Sequence, residues 1–226
     1  MGVDSGLPDF RGPEGFWRAY PAFRDLGLRF EQLASPEWFF RDPALAWGFY
    51  GHRLGLYRET VPHEGFSRLL RWASEKRHGA FVFTSNVDGQ FQKAGFPDGR
   101  VAECHGSIHH LQCLRGCGEP IRSAEGVDVE VDAASCRARE PFPTCPGCRG
   151  LARPNILLFG DLGWDDARTS AQMETLGDWL DGVSGPLVVL ELGAGTSVPS
   201  VRTFSERAVQ GTRRTLVRIN PREPDL

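Results

Sequence analysis

Six cysteines include two close pairs whose spacing suits a metal site. Three residues separate Cys113 from Cys117, and two separate Cys145 from Cys148 within the sequence TCPGCRG. A short turn lets the thiolates of one pair point at one ion, and a second pair completes the closed tetrahedron of sulfur ligands that structural zinc prefers. Two disulfides, a chance pairing or a redox-active CxxC are the alternatives, although a redox pair would open a helix after a strand. We predict a zinc ion bound by these four cysteines, with Cys136 as the alternative ligand.

Four polar clusters carry residues that could bind an oxygen-rich ligand or move a proton. They span residues 6–12, 84–89, 104–107 and 192–197. Glycine beside hydroxyl-bearing residues lets the backbone approach a phosphate or a ribose closely, and open α/β sheets bind ligands at the carboxyl ends of their strands. Each cluster alone is weakly specific, since Asn86 and Asp88 could form an ordinary turn and His105 could be a structural histidine. They predict a ligand site only if the fold brings them together.

The composition excludes several classes of protein. The chain has 226 residues, 40% of them hydrophobic, and a formal charge of −3. The balanced, interspersed charges argue against a nucleic-acid binder, and no apolar stretch approaches the roughly 20 residues that span a bilayer. The first residues lack the basic and apolar regions of a signal peptide. We expect a cytoplasmic, monomeric protein that binds neither nucleic acid nor membrane.

Alternating strand and helix patterns must position these clusters. Continuous apolar runs predict buried strands at residues 80–84, 155–159, 187–190 and 215–219. A helical period connects Phe66 to Ala73, with Gly79 as a stop, and a second period connects Met173 to Leu180, with Gly182 just beyond. This alternation predicts an α/β fold with a doubly wound, Rossmann-like parallel sheet.

Two regions depart from the alternation and are predicted to form a smaller lobe. Residues 14–60 are rich in aromatic residues and arginine, with short helical stretches broken by Pro21, Pro36 and Pro43, and residues 113–151 hold the paired cysteines. We interpret the first as a helical insertion and the second as a zinc module. Residues 1–13, 61–112 and 152–226 would then form the Rossmann-like domain.

Taken together and in this order, the clusters resemble the sirtuin family over essentially the whole chain. The matching segments are SGLPDFR at 5–11 for the family's SGIPDFR, TSNVD at 84–88 for TQNID, CHG at 104–106 for LHG, and GTS at 195–197. Residues 152–161 look like the family's RPxVVxFGE segment, and the four cysteines lie between these elements, as in the family. The resemblance implies an NAD-dependent protein lysine deacylase that acts on acylated-lysine proteins and releases nicotinamide and an O-acyl-ADP-ribose.

The resemblance also implies a role for each matching residue. His105 would be the general base, acting through a ribose hydroxyl, and Asn86 would order that ribose and a water. Asp88 would bind the carboxamide of nicotinamide, and Phe10 would shield the reactive carbon. The remaining NAD contacts would come from Asp9, Arg11, Ser85, Val87, Gly195, Thr196, Ser197 and Asn220.

Two further pairs concern the acylated substrate. Phe159 and Gly160 would bind the backbone of the acyl-peptide. Tyr50 and Arg53 form the Tyr-x-x-Arg pair that sirtuins removing succinyl or malonyl groups keep, and an arginine fork beside a phenol suits a distal carboxylate. The alternative is an amphipathic surface helix whose arginine has no binding role.

The match also has departures. The family begins with a strand that ends in a Gly-Ala-Gly turn, whereas residues 1–5 correspond to the end of that turn. We therefore expect the natural chain to be longer by about 15–25 residues, which is one strand plus the residues that precede it. Ser85 replaces a glutamine, Cys104 a bulky residue, and Asp161 a glutamate. The alternative functions are an NAD hydrolase or protein ADP-ribosyltransferase on the same fold, and a zinc-supported binding protein with impaired catalysis.

Overall fold

The computed structural model describes residues 1–9, 20, 21, 24, 27, 29–211 and 213–225 and has an α/β architecture. Its described helices include α1 (Phe30–Leu33), α2 (Glu37–Arg41), α3 (Pro43–Glu59), α4 (Glu64–Ser74), α5 (Gln90–Lys93), α6 (Ala167–Gly182) and α7 (Ser200–Ala208), with short 3₁₀ helices at Val3–Ser5 and Asp98–Arg100. Its described strands include β1 (Val82–Thr84), β2 (Val101–Glu103), β3 (Gly106–Cys113), β4 (Arg122–Ser123), β5 (Val131–Asp132), β6 (Arg137–Ala138), β7 (Ala152–Ile156), β8 (Leu187–Leu192) and β9 (Arg214–Ile219).

Two parallel strand pairs support the polar clusters. β1 pairs with β2 across a connection that contains α5, and β8 pairs with β9 across a connection that contains α7. The rings of Phe83 in β1 and Phe204 in α7 stack with centroids 4.0 Å apart, which packs the two pairs against the same helix layer. Parallel strands with helical crossovers confirm the predicted α/β class, because a parallel neighbour can be reached only by crossing over the sheet.

The prediction of a strand at residues 155–159 in the parallel sheet is wrong in its bounds and in its pairing partner. β7 begins three residues earlier and pairs antiparallel with β3, in a separate sheet of order β4-β3-β7. The sequence pattern placed the strand on the apolar run that follows Asn155. The strand instead includes the polar residues Arg153 and Asn155. Both can be buried because residues from other segments supply their hydrogen-bond partners. Gly106 permits the pairing: its φ is +75°, and a Cβ there would lie 2.0 Å from the Asn155 carbonyl oxygen.

Helix α3 corrects the prediction of short helical stretches before residue 60. Pro43 does not break a helix but occupies its first turn, where the missing N–H costs nothing. Asp42 caps this turn, with its Oδ1 atom accepting from the Leu45 backbone N–H at 3.1 Å. The helix then runs for 17 residues with buried side chains on all sides, and Trp47 donates from its indole to the Ala152 carbonyl in β7. α3 is therefore the central element of the aromatic core.

The two predicted amphipathic helices are confirmed as α4 and α6. α4 ends at Ser74, five residues before the predicted stop, and Gly79 instead forms a turn with φ of +67°. Gly182 is the last residue of α6 rather than the residue after it. Within the described ranges, no helix combines the length and apolar character that crossing a membrane requires. The division into a Rossmann-like domain and two insertions stays a prediction.

A buried ion pair should dominate the stability of the segment after β7. Arg153 and Asp161 approach to 2.8 Å, and each side chain is 1% exposed. Asp161→Asn should lower the free energy of unfolding by about 3–5 kcal/mol, because it leaves a buried guanidinium without its countercharge. Urea unfolding followed by circular dichroism measures the change.

Glu37→Gln is the matched control, since it breaks an Arg41–Glu37 pair in which both side chains are 64% exposed. Exposed pairs contribute about 0–1 kcal/mol, so this variant should stay close to the parent protein. Equal losses in the two variants would contradict a dominant role for the buried pair.

Candidate functional site

Backbone and side-chain contacts join the clusters that follow β1, β2 and β8. The Cys104 N–H donates to the Thr84 carbonyl at 2.9 Å, which ties the turn after β2 to the end of β1. His105 Nε2 lies 3.1 Å from Ser200 Oγ, which ties the same turn to the start of α7. The fold therefore brings His105 between the end of β1 and the start of α7, the helix that connects β8 to β9.

The loop after β8 presents hydrogen-bond donors that hold a carboxylate. The Thr196 backbone N–H and hydroxyl donate to the two carboxylate oxygens of Glu223, each at 2.9 Å. Asn220, directly after β9, donates from Nδ2 to the Ala194 carbonyl at 2.9 Å. Because these donors already bind oxygen atoms of an anionic group, the loop suits a phosphate or a ribose hydroxyl.

In the first cluster, Asp9 makes a long-range contact with the segment that follows β9. Asp9 Oδ2 lies 4.0 Å from Arg222 Nη1, just beyond β9. Both groups are exposed enough that this ion pair contributes little stability. Phe10 and Arg11, the other residues predicted to act in this cluster, lie outside the described residues.

The turn after β1 separates an exposed amide from a buried carboxyl. The Asn86 N–H donates to Thr84 Oγ1 at 3.0 Å, and the Gln90 N–H donates to Asp88 Oδ1 at 3.1 Å. Burial raises the pKa of Asp88, opposed by the hydrogen bond from Gln90. Asn86 is exposed, Ser85 and Val87 are half-buried, and Asp88 is buried. The Asn86 side chain is thus available to a ligand, whereas the Asp88 carboxyl is buried beneath the turn.

The four paired cysteines meet in one cluster, as predicted. Their Sγ atoms all lie within 4.8 Å of one another, with Cys113–Cys148 at 3.6 Å and Cys117–Cys145 at 3.5 Å. Zinc–sulfur bonds of about 2.3 Å in a tetrahedron put sulfur atoms about 3.8 Å apart, whereas a disulfide requires about 2.05 Å. The cluster therefore fits a tetrahedral zinc ion, and the disulfide alternative is wrong.

The other two cysteines have different surroundings. Cys136 lies outside the cluster, in the β5–β6 hairpin, so the prediction of it as an alternative ligand is wrong. Burial raises the pKa of the Cys104 thiol to about 12. Cys104 is consequently a neutral thiol beside His105 and not a nucleophile.

Arg53 is buried in an aromatic cage formed largely by its own helix. Its side chain donates to the Tyr57 hydroxyl from Nη2 at 2.6 Å and from Nε at 3.1 Å. The guanidinium carbon lies 5.1–5.8 Å from the ring centroids of Phe30, Phe49, Tyr50 and Tyr57. With 6% of its surface exposed, Arg53 cannot belong to a surface helix, so that alternative is wrong.

Tyr50 contributes a buried hydroxyl to the same region. Its Oη atom has no hydrogen-bond partner among the described residues, and burial raises the pKa of this phenol to about 12. The group therefore stays protonated and retains a donor. Such a donor next to a guanidinium suits a carboxylate ligand.

Phe159 and Gly160 lie in a turn beyond β7 that the interior holds in place. The Phe159 N–H donates to the Ala34 carbonyl at 2.9 Å, and Gly160 has φ of +69°. Asp161 Oδ2 accepts from the Leu158 N–H at 3.4 Å, in addition to its ion pair with Arg153. The side chain of Phe159 is 47% exposed, so it is available to a peptide.

Sequence reasoning missed two residues that contact the site. Glu223 and Ser200 stand outside every recognised motif, yet they hold Thr196 and His105. A carboxylate shortly after Asn220 is the signal that could have identified Glu223. No spacing rule identifies Ser200, because its contact with His105 spans 95 residues.

Removing one buried ligand should abolish the metal site. Cys145→Ser should lower bound zinc from about one ion per chain to well below half, because a closed site needs all four thiolates. Inductively coupled plasma mass spectrometry of the purified protein measures the content. Cys136→Ser is the matched control and should keep the full content; loss of zinc in the control alone would contradict the assignment.

Comparisons with known proteins identify the family of this chain. The profile of the Sir2 family matches residues 1–178. The mitochondrial NAD-dependent protein deacylase sirtuin-5 of Danio rerio is 32% identical over 189 residues, covering 77% of this chain and 58% of that protein. An NAD-dependent protein deacylase of Aquifex aeolicus is 33% identical over 161 residues, covering 71% of this chain and 58% of that protein. The chain thus spans 58% of the length of each of these relatives.

Solved structures share the fold. One from a study of sirtuin substrate affinity aligns with a TM-score of 0.65 and 23% identity, covering 97% of this chain and 78% of the other. A Sir2 mutant with a p53 peptide and NAD aligns with a TM-score of 0.64 and 21% identity, covering 98% and 79%. These likenesses confirm the predicted architecture. Since the family profile also covers most of the sequence, this chain belongs to the Sir2 family.

Proposed function

We propose that this chain acts as an NAD-dependent protein lysine deacylase. The observation that carries the proposal is the position of His105, which follows the backbone contact of Cys104 with the end of β1 and faces Ser200 at the start of α7. In the proposed reaction, His105 would be the proton acceptor, Thr196 would donate to the cofactor, and Asn86 would orient it. Membership of the Sir2 family supports the same reaction class.

The donors at the strand ends would hold NAD. Thr196 and Ser197 would bind its phosphate or ribose oxygens, and Asn220 would bind the adenosine ribose. Glu223 occupies both Thr196 donors, so a ligand that uses them competes with this carboxylate. Asp88 would accept from the carboxamide of nicotinamide. When bound, NAD supplies an electrophilic ribose carbon and nicotinamide as a leaving group.

His105 would move the proton that the transfer requires. Its Nε2 atom faces the Ser200 hydroxyl at 3.1 Å, so this nitrogen already meets a hydroxyl group. A ribose hydroxyl in the place of Ser200 Oγ could give its proton to the same atom, since imidazole accepts protons near neutral pH. Asn86 would orient the ribose. The rest of the rate acceleration would come from orientation and exclusion of water.

The zinc ion would have a structural role rather than a catalytic one. Four thiolates close its coordination shell, so it has no open position at which to activate water or substrate. It would hold the end of β3 against the turn at residues 145–148. Chemistry would remain with His105 and Asn86.

Acylated-lysine proteins would be the substrates. The exposed Phe159 and the adjacent Gly160 would bind the peptide backbone, and the products would be free lysine, nicotinamide and an O-acyl-ADP-ribose. Six reduced cysteines fit the reducing environment of the cytoplasm. We propose neither nucleic acid nor membrane as a partner.

The acyl group would include dicarboxylic chains such as succinyl or malonyl. Arg53 is a buried cation that donates to the Tyr57 hydroxyl, and the adjacent Tyr50 adds a buried hydroxyl that has no hydrogen-bond partner among the described residues. In a buried site, a guanidinium binds a carboxylate far more strongly than it does in water. The pair would therefore favour an acyl chain with a distal carboxylate over acetyl.

Removing the imidazole should remove the activity. His105→Ala should lower NAD-dependent deacylation of an acyl-lysine peptide by roughly 10²–10⁴-fold, the usual contribution of a general base. Mass spectrometry of the peptide measures the product. His78→Gln is the control, because His78 contacts Trp179 and Ser184 rather than the site.

NAD loss that proceeds without acyl-lysine would instead support the hydrolase or ADP-ribosyltransferase alternative. NAD loss is measured in the same reactions with unmodified peptide. A parent protein that binds zinc but converts neither peptide nor NAD would support the impaired binding protein.

Removing the guanidinium should change acyl preference. Arg53→Met should lower kcat/KM for a succinyl-lysine peptide by roughly tenfold or more, the loss of about one charge-assisted hydrogen bond, with a smaller loss for acetyl-lysine. Parallel kinetics on the two peptides measure the ratio. Arg68→Met, which removes an exposed arginine in α4, should leave the ratio unchanged. Equal losses on both peptides in Arg53→Met would refute the carboxylate role.

A further inference from the structure

One segment of the zinc module lies along helix α3. We call residues 122–139 the clamp segment; it contains β4, β5 and β6. α3 carries Tyr50 and Arg53, the two residues proposed above to select the acyl group. The clamp segment packs against one side of α3, and these two side chains project from a different side of the same helix.

The contact depends on two glycines in α3. A Cβ at Gly48 would lie 1.9 Å from the Cys136 carbonyl oxygen, and a Cβ at Gly51 would lie 2.7 Å from Val129 Cγ1. Both distances are below any normal contact, so no larger residue fits without moving the helix or the segment. Glycine is otherwise the poorest helix former after proline. Gly55, on the same side of α3, meets no described atom within 4 Å of such a Cβ.

Two polar contacts hold the ends of the same helix. Near its start, Arg137 Nη2 lies 2.6 Å from Oδ1 of Asp42, the residue that caps the helix. Near its end, Arg58 donates to the carbonyls of Ala124 and Val127, each at 2.6 Å. The clamp segment thus touches α3 along most of its length.

Helical geometry places the glycines opposite the acyl-binding residues. Successive residues rotate by about 100° around a helix axis. Gly48 and Gly51 therefore share one side, whereas Tyr50 and Arg53 lie together on the other side, about 160° away. Any displacement forced at the glycine side moves the guanidinium and the phenol with the helix.

We infer that the clamp segment is a positioning element for acyl selection. Close packing at Gly48 and Gly51 fixes the position of α3 and its rotation about its own axis. The segment thereby sets where Arg53 and Tyr50 meet the acyl chain. This inference rests on the proposed function. A shift near 1 Å is enough to weaken an oriented contact severely.

Peptide binding tests the inference without requiring turnover. Fluorescence anisotropy gives the Kd of labelled peptides carrying succinyl-lysine or acetyl-lysine, for the parent protein, Gly51→Ala and Gly55→Ala. Gly51→Ala should reduce the succinyl preference by roughly tenfold, whereas Gly55→Ala, in open space on the same side, should keep it within about twofold. Gly48→Ala should act like Gly51→Ala, with a larger loss, because it meets backbone.

A second substitution separates repositioning from general damage. Val129→Gly removes the side chain that Gly51→Ala would strike, so the double variant should recover most of the preference. A folded Gly51→Ala protein, judged by its Tm and zinc content, that keeps the parental preference would overturn the inference. If Gly51→Ala does not fold, the double variant Gly51→Ala with Val129→Gly takes its place. A folded double variant that does not recover the preference for succinyl-lysine would then overturn the inference. A parent protein without succinyl preference would refute the proposed acyl selection itself, and the inference with it.

Discussion

The ion pair between Arg153 and Asp161 is the interaction on which the arrangement of the site depends. It crosses from β7 to the turn that follows, and both side chains are excluded from water. Burying two charges is costly, so the pair is stable only because its geometry is close and its remaining groups are hydrogen-bonded. Asp161 also accepts from the backbone of Leu158 and Gly163, which shapes the turn from the inside.

That turn connects three parts of the molecule. The Leu157 N–H donates to the His105 carbonyl at 3.0 Å, and the Phe159 N–H donates to Ala34 in the helical region. The backbone of His105 is therefore held from the same segment that presents Phe159. The short carboxylate of Asp161 reaches Arg153, the second residue of β7, at 2.8 Å.

The four-cysteine cluster and the packing of α3 hold neighbouring parts of the chain together in different ways. Four cysteines join the end of β3 to the turn at residues 145–148, and they require only local geometry. The contact between the clamp segment and α3 is different, because it brings backbone against backbone at Gly48 and tolerates little displacement. The cysteine cluster joins two turns, whereas the contact at Gly48 packs the clamp segment against α3, the helix that carries the buried Arg53. In the candidate site, Thr196 donates to Glu223, and His105 faces the Ser200 hydroxyl.

The sequence alone determined the features that depend on neighbours along the chain. The spacing of the cysteine pairs was sufficient to predict their cluster. The order of short motifs was sufficient to predict the family, and the alternation of strand and helix patterns was sufficient to predict the α/β class. The periodicity of α4 and α6 was equally readable. Only the tertiary structure decided the antiparallel partner of β7, the burial of Arg53 and the roles of Gly48, Gly106 and Glu223. Each of these depends on a contact between residues far apart in sequence, and a buried charge or a close glycine contact leaves no periodic pattern, since its partner is supplied by another part of the fold.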